Sequence, residues 1–155
     1  MKTKLLIFAS CCGILLLSSF MVSGSPGNDD APVNEKVLKS FHSVFNNASH
    51  VQWSETNDRF NVSFTQNDVM VRAEYDKYGN MINSIRYYDA QHLPLNILCK
   101  VKAQYATKSI DVVTEVSTVD GMAYLIQLQD EKGWTIVRSD IDGTLSLQDE
   151  FEKAK

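Results

Sequence analysis

The chain has 155 residues, 44% of them hydrophobic, and a formal net charge of −4, a composition typical of a folded protein with a single core. Its 15 lysines and arginines are scattered rather than clustered, which argues against a nucleic-acid-binding protein. The acidic excess likewise disfavours attachment to an anionic membrane surface.

The first 24 residues have the three parts of a secretory signal peptide. A basic start, MKTK, precedes the apolar stretch LLIFASCCGILLLSSFMV, which is followed by small residues. We therefore predict a signal peptide over residues 1–24, cleavage before Ser25, and a periplasmic or secreted protein with no membrane span after cleavage. Two alternatives stay open: the apolar stretch is retained as an anchor, since it is near the lower length limit for a span, or Cys11 carries the lipid of a lipoprotein.

Cleavage would leave one cysteine, Cys99, and 15 − 2 = 13 basic against 19 acidic residues, a net charge of −6. A single cysteine provides no internal disulfide, so the fold depends on its hydrophobic core. We expect Cys99 to be a small buried hydrophobe on a helix. A disulfide between two chains, and hence a homodimer, is the alternative.

Residues 25–33 have no apolar periodicity and are predicted to be a flexible leader, so the folded domain spans residues 34–155. The domain begins with a predicted helix, because its apolar residues recur at helical spacing. These residues are Val37, Leu38, Phe41, Val44 and Phe45.

Four strands follow, because the apolar period changes to two. They are HVQWSE, RFNVSFTQ, VMVRAEYD and MINSIRYY. The second strand places Phe60, Val62 and Phe64 on one face, which we expect to pack against the helix stripe. Asn67 and Gly79 mark short turns, and short turns between consecutive strands predict an antiparallel meander.

The same order of elements recurs after Pro94. The predicted helix LNILCKVKAQYA precedes the strand-like runs DVVTEVSTV, MAYLIQLQ, WTIVRS and TLSLQDEF. A shift of 64 positions aligns Phe60–Asn80 with the second half and places Gly79 on Gly143, whereas the helices align at a shift of 60. The second half therefore has 64 − 60 = 4 extra residues between its helix and its second strand. We therefore predict an α+β fold, a tandem repeat of a helix plus a four-stranded antiparallel meander, over residues 34–88 and 95–148, with both helices on one face of the sheet.

Three segments of the first half resemble the PepSY-like family: VQWSE, FNVSF and YDKYGN. These are secreted bacterial proteins, frequent in Bacteroidetes, and similar in fold to the β-lactamase inhibitor protein (BLIP), which is built from tandem helix-plus-four-strand units. The resemblance covers about residues 34–148 and is weaker in the second half, where no tryptophan matches Trp53. It implies a BLIP-like fold and an exported protein, and it supplies no catalytic residue.

The sequence has no recognisable catalytic or cofactor motif. His42, His50 and His92 belong to none of the tightly spaced groups of histidine, cysteine and carboxylate residues that mark a metal site, so no metal site is predicted. Nucleophile motifs and phosphate-binding glycine loops are missing. Asp140 and Asp142 indicate a tight turn, because DIDGT lacks the later glutamate of a calcium loop. We therefore predict no cofactor and no enzymatic activity.

The two halves differ at the strand positions that face away from the helices. The first half is mostly polar there, whereas the second has three large apolar residues. Either the second meander has slipped by one residue or is covered by the chain from Phe151, or these residues form a partner-binding surface. The predicted partner-binding residues are Leu125, Trp134 and Ile136, with Met70 and Arg72 at their border.

The leading hypothesis is a non-enzymatic secreted or periplasmic binding module that inhibits or chaperones another exported protein. Its partner is a protein or a small ligand. Two alternatives stay open: an enzyme whose site is assembled from scattered carboxylates and tyrosines, and a structural protein of the cell envelope.

Export generates the first testable prediction. The intact mass of the exported protein should correspond to a chain that starts at Ser25. A lipid-modified Cys11, or a chain that retains Met1, would contradict the predicted cleavage.

Overall fold

The structure, a computed structural model, describes residues 33–153, so the predicted signal peptide and nearly all of the predicted leader lie outside the described residues. The helices are α1 (Glu35–Val44) and α2 (Leu95–Gln104), and a single 3-10 turn spans Ala90–His92. The strands are β1 (Ser49–Thr56), β2 (Arg59–Gln66), β3 (Val69–Asp76), β4 (Met81–Tyr88), β5 (Ser109–Thr118), β6 (Gly121–Gln129), β7 (Gly133–Asp140) and β8 (Leu145–Glu152).

All eight strands form one antiparallel sheet, and their order across the sheet is their order along the chain. The two halves of the chain meet in the middle, where β4 pairs with β5 over six residues of each strand. The architecture is therefore α+β, with two helices on an eight-stranded antiparallel sheet. No helix within residues 33–153 is long and apolar enough to cross a membrane.

Two of the tight turns are made by Asn-Asp pairs. Asn57 and Asp58 have φ angles of 52° and 61°, and Asn67 and Asp68 have φ angles of 52° and 64°. A two-residue type I′ turn requires this left-handed conformation at both positions, and Asn and Asp tolerate it better than other side chains. The β1–β2 and β2–β3 hairpins are thereby fixed in register, with Thr56 opposite Arg59.

Phe41 of α1 is central to the core of the first half. Its ring centroid lies 5.1 Å from that of Phe64 and 5.2 Å from that of Trp53, both edge to face. Val37 and Phe41 are fully buried, as are Ile97 and Val101 of α2, and one core cluster contains all four. The buried strand residues beneath α1 include Phe60, Val62, Phe64, Val71 and Tyr75, and those of the second half include Val113, Tyr124, Ile126, Leu128 and Val137.

Each helix is also held by the last turn of its half. In the β3–β4 turn Gly79 has a φ of 88°, and a Cβ at this position would lie 2.8 Å from the main-chain oxygen of Lys36 in α1. In the β7–β8 turn Gly143 has a φ of 81° and lies against the side chain of Lys100 in α2. Both glycines adopt a backbone conformation that other residues rarely take, and at Gly79 the close approach to the main chain of α1 also excludes a side chain.

Asparagine side chains add a hydrogen bond to each of these helix–turn contacts. The side chain of Asn34 accepts from the amide of Lys36 and so caps α1, and it donates to the carbonyl of Lys77 in the turn. Asn96 of α2 donates to the carbonyl of Ile141 at 3.2 Å.

The expectation that Cys99 is buried is wrong, because its side chain is exposed. The buried stripe of α2 is set by Ile97 and Val101, and a residue midway between two such positions lies on the opposite side of a helix. The last strand also extends beyond the predicted repeat boundary at Gln148, since β8 continues to Glu152.

The core generates the second prediction. Replacing Phe64 by Ala should lower the free energy of unfolding by about 3–5 kcal/mol, because it removes a ring that is 2% exposed and contacts Phe41 and Phe45. Thr65, on the other face of the same strand, is the matched control, and its replacement by Ala should cost less than about 1 kcal/mol. Chemical denaturation measures both, and equal losses would show that the faces of β2 have been assigned wrongly.

Candidate functional site

One face of the sheet carries no helix of residues 33–153 and is here called the helix-free face; all five predicted partner-binding residues lie on it. Side chains alternate between the two faces of a strand. Ile126, Thr135 and Val137 are buried beneath α2, so their neighbours Leu125, Trp134 and Ile136 point to the helix-free face. The alternative of a one-residue register slip is therefore wrong.

Met70 and Arg72 lie on the same face and connect to Leu125 through the central strands. Met70 is opposite Tyr87 and Arg72 is opposite Ile85, and β4 in turn pairs with β5. Leu125 is opposite Thr114 of β5 on one side and Arg138 of β7 on the other.

The central strands supply apolar residues that the sequence comparison of the two halves missed. These are Ile85 and Tyr87 of β4 and Val112 and Val116 of β5, all half-buried. The signal was present in the sequence, because both strands carry apolar residues on both faces. Together with three predicted residues they form a continuous surface, here called the apolar band. The apolar band consists of Met70, Ile85, Tyr87, Val112, Val116, Leu125 and Ile136.

Trp134 lies at the end of this face rather than in its centre. It is half-buried, and Phe151 of β8 is directly opposite it. The ammonium nitrogen of Lys153 lies 5.2 Å from the centroid of the indole ring. The chain from Phe151 therefore covers part of Trp134, whereas Leu125 and Met70 are 37% and 46% exposed.

A cavity of about 620 Å³ opens on the helix-free face of the first half, next to the apolar band. The side chains that line it on this face belong to polar residues, except for Ile85. The lining side chains on this face are Gln52, Ser54, Asn61, Ser63, Arg72, Glu74, Asn83 and Ile85. The face thus combines an apolar centre with a polar concavity at one side.

The charged groups of this face differ in how they are paired. Glu74 accepts a hydrogen bond of 2.7 Å from Asn83 and lies 3.7 Å from the guanidinium of Arg59. Arg72 and Arg138 form no salt bridge with any carboxylate of residues 33–153. The guanidinium of Arg72 lies 6.0 Å from the centroid of the Tyr87 ring.

A second polar cluster lies on the helix side, where β4 meets β5. The hydroxyl of Tyr88 donates to a carboxylate oxygen of Glu115 at 2.6 Å, and Arg86 lies 3.1 Å from the same carboxylate group. Burial, reinforced by the hydrogen bond to Glu115, raises the pKa of Tyr88, so its phenol stays protonated and acts as a donor. Glu115, Tyr88 and Tyr124 are each less than 10% exposed.

This cluster joins the two halves of the sheet rather than forming an open site. Arg86 and Tyr88 belong to β4 and Glu115 to β5, so their contacts bridge the central pair of strands. The cavity beside the apolar band is lined by none of these residues. Within the same residues, no three histidine, cysteine or acidic side chains converge as a metal site would require.

No family model matches the chain, and no curated protein matches it significantly. The fold, however, is shared with solved structures from Bacteroides. A BLIP-like protein from Bacteroides fragilis superposes with a TM-score of 0.63 at 10% identity, covering 84% of this chain and 95% of the other.

Two further structures give the same result. A candidate periplasmic protein from Bacteroides eggerthii has a TM-score of 0.59 at 13% identity, over 75% of this chain and 87% of the other. A DUF2874 family protein from Bacteroides ovatus has a TM-score of 0.56 at 16% identity, over 79% of this chain and 86% of the other. At such low identities the likeness shows the fold: the chain has a BLIP-like fold.

Proposed function

We propose that this protein is an exported, non-enzymatic binding module that binds another exported protein through the helix-free face of its sheet. The observation that carries the proposal is the apolar band, in which Leu125 and Met70 are 37% and 46% exposed at the centre of an otherwise polar face. Contiguous exposed apolar residues rimmed by polar ones mark interaction surfaces. Binding of this kind serves inhibition or chaperoning of the partner.

The first half of the chain supports this interpretation, because it shows what the fold itself requires of this face. There the outward positions of β2 are Asn61, Ser63 and Thr65, and the strand is nevertheless well packed through Phe60, Val62 and Phe64. β2 therefore packs without apolar residues on the helix-free face, so Leu125 and Ile136 need another explanation. A bound partner supplies one, since it removes their surface from water.

Export and family membership are part of the proposal. The signal-like start, with its basic residues and apolar stretch, supports a periplasmic or secreted location. VQWSE and YDKYGN support a PepSY-like protein, and the shared fold with a candidate periplasmic protein from Bacteroides eggerthii agrees with both.

We also propose that the two halves arose by tandem duplication. The hydrogen bond from Gly79 to the carbonyl of Asp76 and that from Gly143 to the carbonyl of Asp140 are both 3.1 Å long. The carboxylates of both aspartates also accept main-chain amides of their turns. The residue pair Thr56–Arg59 closes the β1–β2 hairpin. By the shifts of 60 and 64 positions its equivalent in the second half is the pair Val116–Ala123, and the β5–β6 hairpin continues beyond that pair by two more residue pairs. The four extra residues of the second half are therefore the ones that lengthen this hairpin.

The enzyme alternative now has a specific candidate, the cluster of Glu115, Tyr88 and Tyr124. A general acid or base must reach its substrate. These side chains are 8%, 6% and 5% exposed, and Tyr88 already occupies a carboxylate oxygen of Glu115. The cluster therefore fits a structural role, in which it links β4 to β5, better than it fits a catalytic site.

The binding surface generates the third prediction. Replacing Leu125 by Ser should abolish capture of the partner from the envelope fraction of the source organism, because it places a polar group in the middle of the apolar band. Stability should change by less than about 1 kcal/mol, since the side chain is already 37% exposed. Affinity capture with quantitative mass spectrometry measures the first effect, and thermal denaturation measures the second.

Leu147 provides the matched control. It is opposite Val137, hence on the helix side of the sheet, and is 57% exposed. Its replacement by Ser should leave capture unchanged. Equal capture by wild type and the Leu125→Ser variant would contradict the proposed surface, as would a loss of capture in the Leu147→Ser variant alone.

A further inference from the structure

The cavity beside the apolar band contains a guanidinium that no carboxylate of residues 33–153 neutralises. Arg72 lies in the middle of the row that Gln52, Ser63, Arg72 and Ile85 form across β1 to β4. The one acidic side chain of the lining, Glu74, is engaged by Asn83 and Arg59. Arg72 is thus an exposed cation with unused donors in the lining of a concavity.

We propose that this cavity receives a carboxylate, namely an Asp or Glu side chain of the bound partner. The inference rests on the proposed function and adds the chemistry of the partner: an acidic side chain next to apolar ones. A guanidinium presents donors in a planar fork that matches a carboxylate in two parallel hydrogen bonds. Arg138 on the same face is also unpaired among residues 33–153, but of the two arginines it is Arg72 that lines this cavity.

The surroundings of Arg72 fit a singly charged ligand. Ser63 and Ile85 lie directly opposite Arg72 on the two neighbouring strands, one offering a hydroxyl donor and the other an apolar wall. Tyr87, whose ring lies 6.0 Å from the guanidinium, limits the positions that the arginine side chain occupies. The lining contains a single cation, which neutralises one carboxylate and would leave a phosphate dianion undercompensated.

The adjacent apolar band favours a polypeptide over a free organic acid as the molecule that carries the carboxylate. Arg72 is opposite Ile85 and lies two residues along β3 from Met70, so a group bound to Arg72 is continuous with the band. A polypeptide places carboxylate and apolar side chains side by side, as this surface requires. A free organic acid would fill the cavity and leave the band exposed.

The test uses the purified protein and a display library of random peptides, selected at low salt where charge interactions are least screened. Selected peptides should be enriched in Asp or Glu next to apolar residues. Each acidic peptide is then synthesised together with its Asn or Gln counterpart, and both dissociation constants are measured. The wild type should bind the acidic form about tenfold more tightly, and the Arg72→Gln variant should bind both forms equally.

Arg59 is the matched control, because it lies on the same face, is 48% exposed and is already engaged with Glu74. The Arg59→Gln variant should keep the preference for acidic peptides, which separates a local carboxylate site from a general effect of positive charge. The inference is overturned if no peptide is selected, if acidic residues are not enriched, or if the preference survives in Arg72→Gln.

The Leu125→Ser variant distinguishes the two proposals. If the apolar band is the binding surface, this variant loses both the acidic and the amide peptides. If it binds both as the wild type does while Arg72→Gln loses the acidic preference, the Arg72 site stands and the apolar band fails as the binding surface.

Discussion

The packing of two short amphipathic helices against the same face of one continuous sheet is the constraint on which the rest of the structure depends. α1 and α2 each bury two residues fully, and α1 contributes Phe41 to a cluster of aromatic rings with Trp53 and Phe64. Each helix is held in place by a glycine turn at the end of its half, Gly79 or Gly143. Because both helices occupy one side, the buried core lies there, and within residues 33–153 no helix covers the opposite face of the eight strands.

The pairing of β4 with β5, which joins the two halves, determines which residues lie at the centre of the helix-free face. β4 and β5 pair in the centre of the sheet, and on the helix side the contact of Arg86 and Tyr88 with Glu115 reinforces that pairing. On the other side the same strands present Ile85 and Val116, which lie opposite each other. The apolar band thus exists only because the halves form one sheet, since it takes residues from both.

Most of the fold can be predicted from the spacing of apolar residues along single helices and strands. The contacts between the two halves cannot, because they depend on how β4 pairs with β5. The alternation of Phe60, Val62 and Phe64 predicts the buried face of β2, and the same reasoning places Leu125 on the helix-free face. The contact of Arg86 with Glu115 depends on the register of β4 against β5, which no local pattern encodes. Cys99 was misplaced because cysteine is usually buried, although its helical position opposite the Ile97–Val101 stripe indicates exposure.

The central claim is that the helix-free face is covered by a partner in the cell, and two methionines test it most directly. Met70 is 46% exposed on the helix-free face, and Met122 is 38% exposed on the helix side, where it accepts a hydrogen bond from Tyr124. Oxidative footprinting in intact cells, compared with the purified protein, measures the protection of each sulfur. Selective protection of Met70 is the result that the account predicts. Protection of Met122 instead, or an unchanged ratio between the two, would contradict it.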